Sequence, residues 1–162
     1  GPEGKIHEIE LFVILLAYKV TYPDHVWLLR GKRECSRIKH GFYNVCKRRY
    51  GSRLWRSVVR VFDSMPLCAL IGEKILCMSG GLSPWLSHLD EVRQIQRPSA
   101  LPESGLVCDL LWSDPEEGLE GWEENERGLS YVFGADVLTR FLQRNSLDFI
   151  VRGHTVVPAG YE

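Results

Sequence analysis

The chain has 162 residues, of which 44% are hydrophobic and 25% are charged, and this composition is typical of an ordinary globular domain. Its longest apolar stretch, Leu11 to Tyr18, is much shorter than the roughly 18 residues that a membrane-spanning helix needs. The net charge of −1, from 20 basic and 21 acidic residues, argues against general affinity for nucleic acid, so we expect neither a membrane nor a nucleic acid as partner.

The first third of the chain predicts helices around one strand. Good helix formers with an apolar centre predict a buried helix over Lys5 to Val20, which the turn at Tyr22-Pro23-Asp24 ends. The next apolar residues, His25 to Leu29, predict a strand. Two amphipathic helices should follow on either side of a glycine at position 51, over Gly41 to Tyr50 and Ser52 to Ser64.

The middle of the chain predicts a hairpin followed by a helix. Two short apolar runs, Leu67 to Ile71 and Lys74 to Met78, flank the two-residue connection Gly72-Glu73, which is typical of a β-hairpin. A polar helix is expected over His88 to Gln96.

The last third predicts two extended segments and one helix. Cys108 to Trp112 is expected to be a strand or extended, and an acidic, glycine-rich loop should follow from Ser113 to Gly128. Gly134 to Asn145 predicts an amphipathic helix with apolar residues inward. A final strand is expected over Leu147 to Val151.

The charges are segregated along the chain. From Arg30 to Arg60 there are eleven Lys or Arg residues against the single acid Glu34, and from Glu103 to Glu126 there are nine acids and no base. The basic run is either a solvated helix face or a phosphate-facing patch opposite an acidic groove, and the solvated face is the simpler interpretation.

The five cysteines contain no C-x-x-C pair, and an odd number would leave one thiol outside any disulfide framework. Together with the lack of a secretory leader, this favours reduced thiols and a cytoplasmic or nuclear location. Because the chain begins at Gly1 and not at Met, we expect it to be a fragment of a longer product.

Three times a predicted strand ends in a loop that contains glycine. The loops are Leu28-Leu29-Arg30-Gly31-Lys32-Arg33-Glu34, Cys77-Met78-Ser79-Gly80-Gly81-Leu82-Ser83-Pro84 and Val151-Arg152-Gly153-His154. Chemistry in layered α/β proteins usually lies where strands end. These loops are therefore the candidate site.

The order of these loops resembles the phosphoprotein phosphatase family, and within it the type-1 branch of serine/threonine phosphatases. Further matches extend the resemblance across the chain: Gly41-Phe42-Tyr43, Cys46 to Tyr50, Cys108 to Pro115 and Gly121-Trp122 to Gly128. The resemblance implies a layered α/β sandwich with helices flanking a mixed sheet. It makes residues 1–162 one incomplete domain, without the two upstream metal-binding motifs and the last segment of the family.

The resemblance also implies two divalent metal ions, manganese, iron or zinc, that activate a water for attack on phosphoserine or phosphothreonine. Here it argues against activity. Lys32 stands at a metal-binding asparagine and Ser79 at a metal-binding histidine, and neither an ammonium nor a neutral hydroxyl is a good ligand. Arg33 stands at the proton-donor histidine, and a guanidinium stays protonated at neutral pH. Metal binding by this chain is therefore doubtful.

Other family positions are retained. His154 matches the last metal-binding histidine in these loops, and Arg127 matches an arginine that clamps phosphate. Ile75 and Phe149 resemble part of the channel that docks short peptides of regulatory subunits. The implied partners are thus phosphoprotein substrates and regulatory subunits.

Three functions remain open on the sequence alone. The first is a protein serine/threonine phosphatase whose catalysis is impaired, and the second is a non-catalytic pseudophosphatase that binds phosphoproteins or regulatory subunits. The third is a fragment without function. Two smaller alternatives also stay open: Lys32 and Arg33 form a new anion-binding pair or mark relaxed selection, and Trp112, Trp122 and Phe133 line a peptide groove or belong to the core.

Overall fold

The computed structural model describes residues 7–156, and within this range it contains helices and short strands in a mixed α/β arrangement. The predicted fold class is confirmed. The predicted single domain over residues 1–162 extends past the described range at both ends and stays a prediction. The elements in chain order are α1 (Glu8–Thr21), α2 (Phe42–Ser64), β1 (Cys68–Ile71), β2 (Ile75–Met78), α3 (Leu89–Arg93), α4 (Leu106–Trp112), β3 (Asp114–Pro115), β4 (Trp122–Glu124), β5 (Tyr131–Phe133), α5 (Ala135–Asn145) and β6 (Phe149–Arg152).

The first predicted helix is present as α1, but the prediction that it is buried was wrong. Ile9 is its one buried residue, whereas Leu11, Ile14 and Tyr18 are 59%, 51% and 54% exposed. The sequence carries apolar residues on all sides of the helix, and α2 covers one side of it. No helix among residues 7–156 is long and apolar enough to cross a membrane.

The two helices predicted on either side of position 51 form one bent helix, α2. Gly51 has a φ of 76° and a ψ of −179°, a conformation outside the helical region that glycine adopts without steric cost. The inner side of α2 contributes aromatic residues to a cluster in which the rings of Phe42, Trp55 and Phe62 lie 6.2 to 6.5 Å apart.

The predicted hairpin is confirmed and forms half of a three-stranded sheet. Strand β1 pairs antiparallel with β2, and β2 pairs parallel with β6, so that β2 lies in the middle. The last predicted strand is thus present as β6, shifted by two residues at its start. Ile75 and Phe149 are neighbours across the β2–β6 pair.

Two predicted strands are absent from the described residues. The segment from Val26 to Arg30 belongs to no helix or strand there, and Arg30 donates its backbone hydrogen to Pro66 O. Cys108 to Trp112 belongs to helix α4, in which Leu110 and Leu111 are fully buried. A short apolar run that is buried on all sides has no periodicity, so the sequence could not separate strand from helix.

The remaining predictions differ in length. The polar helix over His88 to Gln96 is the shorter α3, and the last helix, α5, begins at Ala135, one residue after its predicted start, and ends at Asn145 as predicted. The predicted acidic loop contains β3 and β4, which pair with β5 in a second three-stranded sheet. Buried residues of both sheets and of α4 form one hydrophobic cluster, and the candidate loops lie at its edge.

Candidate functional site

The structure brings the three glycine-containing loops together. The ammonium of Lys32 in the first loop donates to the backbone oxygen of His154 in the third, at 2.9 Å. The first and second loops also adjoin, because a Cβ placed on Gly31 would lie 3.7 Å from Ser79 Oγ. Lys32, Ser79 and His154 therefore share one site, as the three glycine-containing loops predicted, although no strand precedes the first loop among residues 7–156.

Close backbone packing explains the glycines of the second loop. The backbone nitrogen of Gly80 donates to Leu110 O at 2.9 Å, and a Cβ on Gly80 would lie 2.5 Å from the carbonyl carbon of Leu111. No side chain fits there. Arg152 fixes the loop from the other side, since its Nε donates to Gly80 O at 2.6 Å.

Asp114 is the hub of the site. One carboxylate oxygen accepts hydrogen bonds from Arg152 at 2.6 Å and from Thr155 at 2.9 Å, and the other accepts one from Arg127 at 3.2 Å. The Asp114 side chain is 12% exposed. Burial alone would raise the pKa of Asp114, but the hydrogen bonds and the nearby cations hold it below its ordinary value. Asp114 is therefore ionised at neutral pH.

His154 is buried against this hub. Its Nε2 lies 3.1 Å from a guanidinium nitrogen of Arg127 and 3.2 Å from Asp114 Oδ2. Burial most of all lowers the pKa of His154 to about 4, since the nearby cations outweigh the opposite effect of Asp114, and the ring is therefore neutral at pH 7. Nε2 accepts from Arg127 in one neutral tautomer and donates to Asp114 in the other, and Nδ1 is buried with no partner among residues 7–156.

His154 also has a strained backbone, with a φ of 76° that side chains other than glycine rarely adopt. Its ring packs edge to face on Trp112, with centroids 5.9 Å apart. Backbone strain of this kind is often found at functional sites.

Lys32 also lies near Trp112, with its ammonium 6.0 Å from the ring centroid. Burial, followed by the positive charge of Arg127, lowers the pKa of Lys32. Arg127 and Arg152 thus contact the carboxylate of Asp114, with the Lys32 ammonium nearby and a neutral histidine beside them. We call these five residues the Asp114 cluster.

The structure places the other predicted residues less centrally. Arg33 is exposed and lines a cavity of about 470 Å³ between α1 and α2. Its positive charge is still near enough to Lys32 to contribute to the lowered pKa of the Lys32 ammonium. Trp122 and Phe133 pack in the hydrophobic cluster, which favours the core interpretation over a peptide groove. Phe149 is 49% exposed beside Ile75.

Sequence reasoning missed Asp114 and Arg152 as site residues. Both lie inside stretches that carried the family resemblance, Trp112-Ser113-Asp114-Pro115 and Arg152-Gly153-His154, and this was the available signal. The hydrogen bond between Asp114 and Arg152 makes them site residues, and it joins positions that are 38 residues apart in the sequence.

The described residues do not fit the metal pair that the resemblance implies. Residues 7–156 contain no group of three His, Cys, Asp or Glu side chains placed to hold a metal ion. His154 Nε2 and Asp114 Oδ2 are suitable ligand atoms, but both already contact Arg127. The ammonium of Lys32 adds a further positive charge at the place where a metal ion would need negative ligands.

The chain is similar to known phosphoesterases. A family model described as calcineurin-like phosphoesterase matches residues 3–158. Among solved structures, the chain is similar to a protein serine/threonine phosphatase from Saccharomyces cerevisiae that is described as similar to human phosphatase PP5, with a TM-score of 0.85 and 33% identity. The match covers 92% of this chain and 47% of that one, so this chain spans about half the length of the solved structure.

Proposed function

This chain belongs to the calcineurin-like phosphoesterase family, among its phosphoprotein phosphatases, and from that premise we propose that it is a protein serine/threonine phosphatase domain with impaired catalysis. Family membership implies divalent metal ions and phosphoprotein substrates. The assignment to the type-1 branch stays a prediction.

One observation carries the proposal, namely the hydrogen bond from Lys32 Nζ to His154 O. This bond holds the Lys32 ammonium beside His154, and both residues stand at positions that supply metal ligands in the family. Two unit charges about 4 Å apart repel by roughly 4 kcal/mol at an effective dielectric constant of about 20, and a divalent ion would double this value. Such repulsion opposes metal binding beside Lys32, whatever ligands other parts of a longer protein contribute.

The proton donor is the second reason for impaired catalysis. A leaving serine or threonine oxygen must take up a proton, and an acid works best when its pKa lies near the working pH. The Arg33 guanidinium has a pKa above about 12 and cannot serve in this way. Arg33 is exposed, and the cavity that it lines also contains Glu8, Glu34 and His40, but the guanidinium itself stays protonated there.

The experiment combines metal analysis with turnover of a phosphoserine peptide. The protein is purified in manganese, and the triple variant Lys32→Asn, Arg33→His, Ser79→His is compared with the unaltered protein. We expect little metal and no turnover in the unaltered protein, and a gain of bound metal in the triple variant. Stoichiometric metal with measurable turnover in the unaltered protein would contradict the proposal.

A matched control uses the same three types of substitution at exposed positions away from the site, Lys39→Asn, Arg144→His and Ser104→His. This variant should behave like the unaltered protein. A gain of metal in the control as well would show that added histidines bind manganese wherever they stand.

A second candidate function is phosphoprotein binding without hydrolysis. The Asp114 cluster has three cations against one carboxylate, and Arg127 is 53% exposed, so its guanidinium can contact a ligand. Arginine binds phosphate oxygens in a bidentate manner, which supports a phosphate group as the ligand of the Arg127 guanidinium. The adjoining cavity of about 400 Å³ is also lined by Glu116, Glu123, Glu124 and Glu126, and these carboxylates oppose an anion inside it.

Calorimetric titration with a phosphoserine peptide tests this function. Arg127→Gln should weaken binding about tenfold, which corresponds to about 1.4 kcal/mol. The control Arg140→Gln removes an equally exposed arginine that is also paired with an aspartate, at 2.6 Å. Equal affinities of both variants and of the unaltered protein would refute a phosphate site at Arg127.

Docking of regulatory subunits is supported by Ile75 and Phe149, which form an adjacent apolar pair across strands β2 and β6. Phe149→Ala should then abolish binding of a regulatory peptide and leave binding of the phosphoserine peptide unchanged. Unchanged binding of the regulatory peptide would refute this role.

We also propose a cytoplasmic or nuclear location. All five cysteines are free thiols, which suits a reducing compartment. Microscopy of the tagged protein is the test, and its appearance in the secretory pathway would contradict the proposal.

A further inference from the structure

The outer side of α2 carries a row of arginines that the phosphatase site does not use. Arg53, Arg56 and Arg60 are exposed and follow one another at helical spacing, and we call them the arginine stripe. The buried residues of the same segment, Trp55, Val58 and Phe62, have the same spacing two positions later. Two residues correspond to about 200° around a helix, so the stripe points away from the core.

The stripe has no acidic partner among the described residues. None of the ion pairs within residues 7–156 involves Arg53, Arg56 or Arg60. The nearest acid in the helix, Asp63, instead pairs with the buried Arg30 at 2.9 Å. Like charges three or four residues apart destabilise a helix, so the stripe lowers the stability of α2 unless an acidic group of another molecule pairs with it.

Arginine indicates the chemistry of such a partner. Its planar guanidinium pairs in a bidentate manner with carboxylates and phosphates and is weakly hydrated. From Arg53 to Arg60 the helix rises by about 10 Å, a distance that about three to four residues of extended peptide span. A short run of acidic side chains therefore matches the stripe in both charge and length.

The charge of the rest of the molecule favours a peptide over a long polyanion. The whole chain has a net charge of −1, and the stretch from residue 116 to 126 exposes six glutamates. This negative stretch weakens the long-range attraction on which nucleic-acid binding depends. Short-range pairing with a few carboxylates is affected less, because such contacts act within the screening distance of salt.

We propose that the arginine stripe docks a short acidic segment of a partner polypeptide. The surface is separate from the Asp114 cluster, since Asp114 takes its described partners from Arg127, Arg152, His154 and Thr155 and none from α2. The proposal is thus independent of metal binding and turnover.

Fluorescence anisotropy with a labelled peptide of six glutamates, at low salt, tests the proposal. The variant Arg53→Gln, Arg56→Gln, Arg60→Gln should bind about tenfold more weakly, equivalent to about 1.4 kcal/mol. The control Arg93→Gln, Arg140→Gln, Arg144→Gln removes the same charge from exposed positions elsewhere and should change the dissociation constant less than about twofold. Circular dichroism checks that all variants are folded.

A third variant keeps the charge but removes the bidentate geometry. Lysine at all three stripe positions should recover part of the lost affinity, because charge without the planar fork gives weaker pairing. Recovery of none of it would contradict an electrostatic contact.

Three results would overturn the proposal. One is no measurable binding of the peptide by the unaltered protein. Another is equal loss of binding in the stripe variant and the control, which would show an effect of net charge. The last is tighter binding of duplex DNA or of anionic lipid vesicles than of the peptide, which would assign the stripe to another class of partner.

Discussion

Replacement of Asp114 by Asn should destabilise the protein by about 2 to 3 kcal/mol. The hydrogen bond from Arg152 is short, at 2.6 Å, and joins side chains that are 18% and 12% exposed. A hydrogen bond to a charged partner contributes about 1.5 to 3 kcal/mol. Arg127 is half exposed, and its pairing with Asp114 adds at most about 1 kcal/mol. Asn keeps one acceptor oxygen, so part of the network survives.

Urea unfolding followed by tryptophan fluorescence measures this loss. With a slope of about 1 to 3 kcal/mol per molar urea, the midpoint should fall by about 0.7 to 3 M. Asp148→Asn is the control, because Asp148 is 59% exposed and lies 3.5 Å from the equally exposed Lys74. A change below about 0.5 kcal/mol for Asp114→Asn would refute the role of Asp114 as the hub.

The same substitution should have the opposite effect on phosphate affinity. In Asp114→Asn the guanidinium groups of Arg127 and Arg152 lose their shared carboxylate, so the phosphoserine peptide should bind more tightly. Weaker binding would mean that Asp114 orients Arg127 for the ligand more than it neutralises it.

Three further predictions concern stability. Asp63→Ala should cost about 3 kcal/mol in urea unfolding, because the buried guanidinium of Arg30 loses its carboxylate and keeps only the backbone oxygens of Glu34 and Ser99 as acceptors. Asp90→Ala in an exposed pair should cost less than about 1 kcal/mol, and equal costs would contradict the burial argument. Gly80→Ala should lower the thermal midpoint by several degrees, because its Cβ would meet the backbone of α4, and an unchanged midpoint would contradict that packing. The pKa of the His154 ring is about 4 in the folded protein and 6.5 ordinarily, so on acidification the unfolded chain binds a proton at this ring before the folded protein does. The free energy of unfolding should therefore fall as the pH drops from about 6.5 to 4, by about 3 kcal/mol at most. An equally steep fall in His154→Asn would contradict His154 as the cause.

Local patterns predicted much of the fold. The bend at Gly51, the β1–β2 hairpin and the amphipathic α5 each have a signal within a few residues of the element itself. The failures concern segments whose state depends on distant residues. His25 to Leu29 has the composition of a strand but finds no strand partner among residues 7–156, and Cys108 to Trp112 is apolar on every side because it is buried.

The site was predicted through its glycine-containing loops, and these do bring Lys32, Ser79 and His154 together. Asp114 was missed because a single Asp in an acidic stretch resembles a solvated surface residue, and Arg152 was missed because its partner was not recognised. Contacts across the fold distinguish Asp114 from a surface residue, since its described hydrogen-bond donors lie 13 to 41 residues away. Sequence spacing carries no information of this kind.

The metal content of the protein tests the central claim most directly. Protein purified and dialysed in the presence of manganese is analysed by mass spectrometry for bound metal, alongside the variant Lys32→Asn. We predict far less than one manganese ion per chain in the unaltered protein and more in the variant, because the ammonium beside His154 is gone. Two manganese ions per chain in the unaltered protein would contradict the account.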